Sequence, residues 1–378
     1  MPTSVFIPKE LQERENRVAA TPETVRHYIK GGLEVHVETG AGTRARFSDA
    51  EYEQAGAKIT ASPLWATADV VLKVAAPTTS EASAMKPGAT LISFLAPARN
   101  PELVRLLAEK KITSFAMELI PRTTKAQTMD ALSSQASIAG YKAVLLAASR
   151  LGKYFPLLMT AAGTIKPSKV VIMGAGVAGL QAIATAKRLG AIVEVSDIRP
   201  VVKEQVESLG GKFIPLPMEE SGEGSGGYAK EMGEDFLRKQ REIVTQHVSG
   251  ADVVITTAQV PGKKAPILLT REMVEGMKPG SIVVDLAVDA GGNCELSQPN
   301  AEVEHNGVLI IGHANLPSDT PRDASTLYSR NVDALFLYMV KDGALTPDWE
   351  DEIVAGSVLT HDGQVRHAPT AALLEGGK

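Results

Sequence analysis

An α/β chain of two doubly wound domains is predicted by three observations. Strand-like runs alternate with helical patterns along the whole length. One complete strand, turn, helix and strand, Lys169 to Arg199, carries glycines at fixed spacing and a terminal acid. The plan of the first half also recurs in the second: Ala68-Asp69-Val70-Val71 returns as Ala251 to Val254, and Met85-Lys86-Pro87-Gly88 as Met277 to Gly280. Both copies read helix end, strand, loop with proline, helix, turn, strand, so the two halves are read as domains of related plan.

In chain order, strands are expected near Val5, Glu34 to Glu38, Asp69 to Val74, Thr90 to Phe94 and Ile112 to Ala116. Helical patterns separate them, such as Thr21 to Lys30 and Pro101 to Lys110. Thr21 has the character of an N-cap, with Pro22 at the first helical position and Gly31 just past the end. This half lacks a glycine fingerprint. The second half places strands near Val170, Val193, Val253, Ile282 and Val308.

Two longer helical stretches are expected to join the domains. Ser134 to Leu151 carries Ile138, Tyr141, Val144, Leu145 and Ala148 at helical spacing, and Ser325 to Lys341 carries Leu327, Val332, Leu335 and Met339. The expected division is residues 1–131 with 326–378 in the first domain and 132–325 in the second. A chain that crosses twice leaves a cleft, faced by the carboxyl ends of the second sheet's strands.

Composition narrows the classes. A length of 378 residues suits two sizeable cores, and 44% hydrophobic with 22% charged residues is ordinary for a globular protein. The 39 basic against 44 acidic residues, a net charge of −5, argue against general nucleic-acid binding. Cys294 is the single cysteine, which excludes a disulfide framework and fits a reducing cytosol. Met1 to Lys9 has no signal-peptide pattern, and no run of 18 apolar residues could span a membrane. The seven histidines lack metal-ligand spacing, so no metal site is expected.

The Lys169 to Arg199 unit carries the sharpest chemistry. Lys169 to Met173 is an apolar, β-branched run, followed by Gly174, Gly176 and Gly179 in GxGxxG spacing. Gly174 permits the tight turn, Gly176 lets the backbone approach a pyrophosphate, and Gly179 lets helix and strand pack closely. Val177 and Ala178 then open the helix, whose N-terminus offers N–H groups and a partial positive charge to phosphates. Asp197 lies 18 residues beyond Gly179. A carboxylate there accepts both ribose hydroxyls and repels a 2′-phosphate, which predicts NAD(H) over NADP(H) in a Rossmann-like domain. The competing reading is a turn that binds nothing. Ile198 and Arg199 follow the acid, and Arg199 suits either a 2′-phosphate contact or stacking on adenine.

Other candidates lie around this unit. Met117 to Gln135 is polar and irregular after an apolar strand, and brings Arg122, Gln127, Asp130 and Ser133 onto one loop and helix start. Asp130 also reads as a helix N-cap. Pro217 to Gly233 is rich in glycine and glutamate, with Gly227 and Tyr228 at its tip, and reads either as a lid over bound cofactor or as a solvated loop. Strand ends carry Thr256-Thr257-Ala258-Gln259, Asp285 with Asp289 to Asn293, and Gly312-His313-Ala314-Asn315, whose small residues let backbone line a nicotinamide ribose. His313 is the histidine best placed for catalysis, although a lone histidine at a strand end is more often structural.

GAGVAGLQAIATAKRLGA, the following KEQVESLGGKF, GGYAKEMG and DLAVDAGGNCELS together resemble domain I of the proton-translocating nicotinamide nucleotide transhydrogenases. The resemblance runs from IPKE near the N-terminus past Asn315. Alanine dehydrogenase is in the same superfamily. The resemblance implies that Arg122, Gln127 and Asp130 form the cofactor-orienting loop and that Gly222 to Gly233 is the mobile loop with Tyr228. It implies a homodimer that binds NAD(H) and docks on a separate NADP(H)-binding domain and a membrane-spanning proton-channel subunit, on the cytoplasmic side. Ending at Lys378 without membrane helices, the chain resembles the split-subunit form.

Alanine dehydrogenase is the main alternative, and a non-catalytic NAD-binding module the other. The former would want a catalytic histidine within the segment that here reads Leu91 to Ala96. Arg17 and Lys73 do stand where that enzyme holds its substrate carboxylate, which leaves a relic pocket as an expectation. Amino-acid oxidation needs a general base, whereas direct exchange between two nicotinamides needs none, so the missing histidine favours a transhydrogenase.

Overall fold

The computed structural model describes residues 2–216, 234–259 and 263–376. The chain divides into two compact units, Met1–Gln135 with Ser318–Lys378, and Ala136–Pro317. Both exchange points differ from the 131/132 and 325/326 expected from sequence, and hydrogen bonds explain the difference. Gln135 accepts from Arg17 Nη1 at 2.8 Å and donates to the Ala324 carbonyl at 3.1 Å, so the first turn of its helix stays with the first unit. Ser318 accepts from the Asn16 N–H at 2.6 Å and donates to Glu15 at 3.2 Å, which ties the second crossing to the same unit earlier than expected.

The first unit opens with β1 (Ser4–Ile7), β2 (Glu34–Glu38), β3 (Lys58–Thr60), β4 (Val70–Leu72), β5 (Thr90–Ser93) and β6 (Thr113–Ala116). The second unit holds a hairpin of β7 (Leu158–Thr160) and β8 (Gly163–Ile165). Its main strands are β9 (Lys169–Met173), β10 (Ile192–Ser196), β11 (Lys212–Phe213), β12 (Val253–Thr256), β13 (Ile282–Asp285), β14 (Glu302–His305) and β15 (Val308–Ile311). The chain then returns to the first unit with β16 (Val340–Lys341), β17 (Ala344–Leu345), β18 (Val358–His361) and β19 (Gln364–Val365).

Among the described residues, the first sheet runs β19-β18-β6-β5-β4-β1-β2-β3. It is parallel from β6 to β3, and antiparallel only where β18 and β19 join its edge. Both faces are covered. Val5 and Ile7 pack with Tyr328, Val332 and Leu335 of the helix Pro321–Tyr338, while Phe6 between them faces a second core with Val71 and Leu91. A parallel strand buried on two sides reads as a continuous apolar run, which explains its legibility. The helix Pro22–Lys30 has Thr21 as its N-cap, Pro22 at its start and Gly31 at its C-cap.

The second sheet runs β11-β10-β9-β12-β13-β15-β14 and is parallel except at β14. Val170 and Ile172 enter one core, Val171 and Met173 the other. Register aligns the last residues of four strands, Ser196 with Met173, Met173 with Thr256, and Thr256 with Asp285. Asp197, Gly174, Thr257 and Leu286 therefore leave the sheet side by side, with the order β10-β9-β12 reversing direction from β9 as a doubly wound sheet does.

The two crossing helices span Ala131–Arg150 and Pro321–Tyr338, starting earlier than the periodicity alone suggested. Among the described residues, no helix is long and apolar enough to cross a membrane.

Candidate nucleotide site

The glycine turn follows β9, and its three glycines have different reasons. Gly174 has φ +109, and a Cβ there would lie 2.5 Å from Thr257 Oγ1. Gly179 would bring a Cβ within 1.9 Å of the Gly174 carbonyl oxygen, so helix and turn touch backbone to backbone. Gly176 is extended at φ −76 and ψ −169, and a Cβ there would meet no protein atom within 4 Å. Packing and backbone strain thus demand Gly174 and Gly179 but leave Gly176 without a cause inside the chain. It caps the helix Val177–Arg188, whose first-turn N–H groups have no intrahelical partner. An anion brought onto that helix end would occupy the space that a side chain at Gly176 takes, so the turn fits a pyrophosphate.

Asp197 is 6% exposed and closes the turn from the β10 side. Its Oδ2 accepts the Ala175 N–H at 2.7 Å and Arg199 Nη2 at 2.7 Å, and its Oδ1 accepts the Arg199 N–H at 2.8 Å and Nε at 2.9 Å. The sequence left Arg199 between an adenine contact and a phosphate contact; here its guanidinium lies on Asp197. The carboxylate therefore does two jobs locally, fixing the first peptide of the turn and holding the arginine. Ile198 links the two and is half-buried.

On the β12 side, Thr257 donates from its N–H to the Met173 carbonyl at 2.9 Å and from Oγ1 to the Gly174 carbonyl at 3.0 Å. Ala258 follows, half-buried, and Gln259 is exposed. Gly227 and Tyr228, with the rest of the proposed lid, lie outside the described residues.

In the first unit, the segment expected to be irregular contains a short 3₁₀ turn, Thr124–Met129, anchored by buried Ala126 and Met129. The N-cap reading of Asp130 holds: it precedes the helix Ala131–Arg150, and its carboxylate accepts the Ser133 N–H at 2.9 Å and Ser133 Oγ at 2.6 Å. Arg122 and Gln127 are exposed.

The same unit buries a charged network. Arg17 donates through Nε and Nη2 to Glu15 at 2.8 and 2.7 Å. Lys73 Nζ reaches Glu10 at 3.0 Å and Glu81 at 3.3 Å, and Tyr328 donates to the Lys73 carbonyl at 2.8 Å. Burial pushes the Glu10 carboxyl up, against the opposing pull of Lys73. Burial also works to lower the Arg17 guanidinium, but the bonds from Glu15 outweigh it and the net shift is upward. Both cations of the expected relic pocket are thus answered by carboxylates of the chain. Ala96 ends the segment that lacks histidine; it is left-handed at φ +45, and it and Leu95 donate their N–H groups to Glu118.

Family models for the alanine dehydrogenase/PNT N-terminal and C-terminal domains match residues 6–139 and 143–368. The chain belongs to the alanine dehydrogenase/PNT family. It is 49% identical to the first portion of NAD(P) transhydrogenase subunit alpha, a separate polypeptide in Rhodospirillum rubrum, over 96% of this chain and 97% of that protein. Alanine dehydrogenase of Bacillus subtilis is 32% identical over 97% of this chain and 93% of its own. Among solved structures, the transhydrogenase from Sinorhizobium meliloti superposes with a TM-score of 0.88 at 46% identity, covering 96% and 99% of the two chains. Within the alanine dehydrogenase/PNT family the chain is of the NAD(P) transhydrogenase alpha-subunit kind, an oxidoreductase with a Rossmann-like α/β fold.

Two features of the site were not legible in sequence. Gly140, inside a helical pattern, would bring a Cβ within 2.0 Å of the Ala178 carbonyl oxygen, so the helix Ala131–Arg150 packs directly on the start of the nucleotide helix. An isolated glycine in an otherwise helical stretch was the available signal. His313, the histidine expected to be best placed, lies 3.5 Å from Glu302 on the neighbouring strand β14. Among the described residues no group of three or more His, Cys, Asp and Glu could hold a metal.

Proposed function

We propose that this chain is the NAD(H)-binding catalytic subunit of a proton-translocating transhydrogenase, exchanging hydride between NAD(H) here and NADP(H) on a partner domain. The observation that carries the reading is Gly176, a glycine with no packing requirement at the end of the Val177–Arg188 helix, beside Asp197. The bound nicotinamide supplies the redox chemistry. Gly174, Gly176, Val177, Ala178 and Gly179 bind the pyrophosphate through backbone N–H groups, and Asp197, Ile198 and Arg199 receive the adenosine. Thr257, Ala258 and Gln259 line the other half. Asp197 favours NAD(H), since a 2′-phosphate would be brought against its carboxylate. The roles implied by resemblance complete the reading: Gln127 acts at hydride transfer, Arg122, Asp130 and Ser133 orient the cofactor, and Gly227 and Tyr228 cover it.

The partners proposed are a second copy of this chain, the NADP(H)-binding domain and a membrane-spanning proton-channel subunit that would hold the dimer at the cytoplasmic face of the membrane. The homodimer is supported by the β7–β8 hairpin, where Tyr154, Leu157, Met159 and Ile165 are 57%, 53%, 75% and 41% exposed, an apolar surface of the kind that marks an interface. Calorimetric titration with NADH, followed by addition of the NADP-binding partner and a stopped-flow assay of transfer to an NADP analogue, tests the function. Binding without transfer would leave a non-catalytic NAD module, and alanine-dependent NAD reduction by the chain alone would leave an amino-acid dehydrogenase.

A further inference from the structure

The end of β12 is fastened by a side chain from a distant loop. The Ala258 N–H donates to Asn293 Oδ1 at 3.0 Å, and Asn293 Nδ2 donates back to the Ala258 carbonyl at 2.9 Å and to the Pro266 carbonyl at 2.8 Å. A side-chain amide thus grips a main-chain residue by both its donor and its acceptor, as a neighbouring strand would. Asn293 is itself fully buried and fixed: its N–H donates to Asp285 Oδ2 at 2.8 Å, and its carbonyl accepts from Leu268 and Leu269 at 2.8 and 3.0 Å.

Asp285 holds the whole turn. Fully buried at the end of β13, it accepts Thr256 Oγ1 at 3.0 Å, the N–H groups of Ala287, Asn293 and Cys294 at 2.9, 2.8 and 3.0 Å, and Ser297 Oγ at 2.6 Å. Gly292 is left-handed at φ +81, and a Cβ there would lie 2.9 Å from Asp285 Oδ2. The Gly292-Asn293 turn is therefore shaped around one carboxylate, and what it presents outward is the amide that holds Ala258.

Ala258 stands next to the glycine turn. Its nitrogen is 3.3 Å from where a Cβ on Gly174 would sit, and the preceding Thr257 is bonded to the Gly174 carbonyl. Asp197 emerges on one side of β9 and Thr257-Ala258 on the other. A dinucleotide with its ribose at Asp197 and its pyrophosphate at Gly176 must therefore run out toward Ala258. We infer that Asn293, locked by Asp285, is a positioning residue for the nicotinamide half of the dinucleotide, acting through the backbone of Ala258. This rests on the nucleotide reading above.

Two full-length variants test it. Asn293→Asp keeps the acceptor for the Ala258 N–H and removes both donors; Asn293→Ser removes the grip altogether. Each is titrated calorimetrically with NADH and with AMP, which lacks the nicotinamide half, at a temperature where circular dichroism shows the variant folded. The expected result is NADH binding weaker by about tenfold or more, as for loss of the bonds that preorganise one contact, with AMP binding unchanged and faster hydrogen exchange at the Ala258 amide. Unchanged NADH affinity in the folded variants, even with a lower melting temperature, overturns the inference and leaves Asn293 a structural tie. Equal weakening of NADH and AMP also overturns it, because the effect is then not confined to one half. Failure of the unmutated chain to bind either ligand is a separate result, which refutes the nucleotide reading itself.

Discussion

Gly176→Ala separates binding from folding more cleanly than any other change at the site. In a protein that binds nothing there, the substitution has little to disturb. Gly176 is at φ −76 and ψ −169, a conformation open to any residue, and the added methyl meets no protein atom within 4 Å. Replacing glycine at an unstrained position stabilises by about 0.4–1 kcal/mol through the unfolded state. Against this, alanine is the poorer N-cap, by an amount on the order of 0.5–1 kcal/mol. The two terms oppose, so stability should move by less than about 1 kcal/mol in either direction.

Nucleotide binding should respond quite differently. A methyl group on the face that the pyrophosphate approaches forces it away from the first N–H groups of the Val177–Arg188 helix. A hydrogen bond to a charged group contributes about 1.5–3 kcal/mol, so losing one weakens NADH by roughly 10- to 150-fold. Isothermal titration gives the affinity and differential scanning calorimetry the stability on the same sample. An unchanged dissociation constant for Gly176→Ala would refute the reasoning, since the space over the helix end would then have no ligand to exclude. Gly179→Ala is the contrast: its Cβ would lie 1.9 Å from the Gly174 carbonyl oxygen, so it should lose stability and binding together.

Asp197→Ala should narrow an NADH preference over NADPH that is expected to be at least about tenfold, because the carboxylate goes and Arg199, now paired with it, is released toward a 2′-phosphate; parallel titrations with both nucleotides check this, and an unchanged ratio sinks it. Gln127→Asn should slow transfer in the reconstituted complex by on the order of 100-fold while leaving NADH affinity nearly intact, as read by stopped-flow and titration; a normal transfer rate removes Gln127 from the mechanism. Asp351 has its carboxyl lowered to about 2, first by the Tyr338 hydroxyl at 2.6 Å and then by Lys125 and the N–H groups it caps. A depressed folded value means stability that is present above the unfolded value of about 3.9 and lost as pH falls toward about 2. The melting-temperature gap between the unmutated chain and Asp351→Asn should therefore be full at pH 6 and close between about pH 4 and 2, and a gap that does not change over that range counts against the assignment.

What was legible in sequence follows from how local each cause is. Val5 to Ile7 and Val170 to Met173 read as strands because both faces of a parallel sheet are buried, so every position must be apolar. The edge strands β3, β14, β18 and β19 and the β7–β8 hairpin escaped, since short strands with one wet face or none buried carry no such run. At the site, the Asn293 grip on Ala258 joins residues 35 apart, and the pairing of Arg199 with Asp197 is a choice of rotamer; neither leaves a periodic trace. The GxGxxG spacing was legible, but it presented its three glycines as one signal. The structure divides them, because Gly174 and Gly179 are required by contacts that any tight βα turn could demand, whether or not it binds anything. Those two therefore discriminate little between a nucleotide site and an empty turn. The discriminating residue is the one that folding leaves unexplained, and that residue is Gly176.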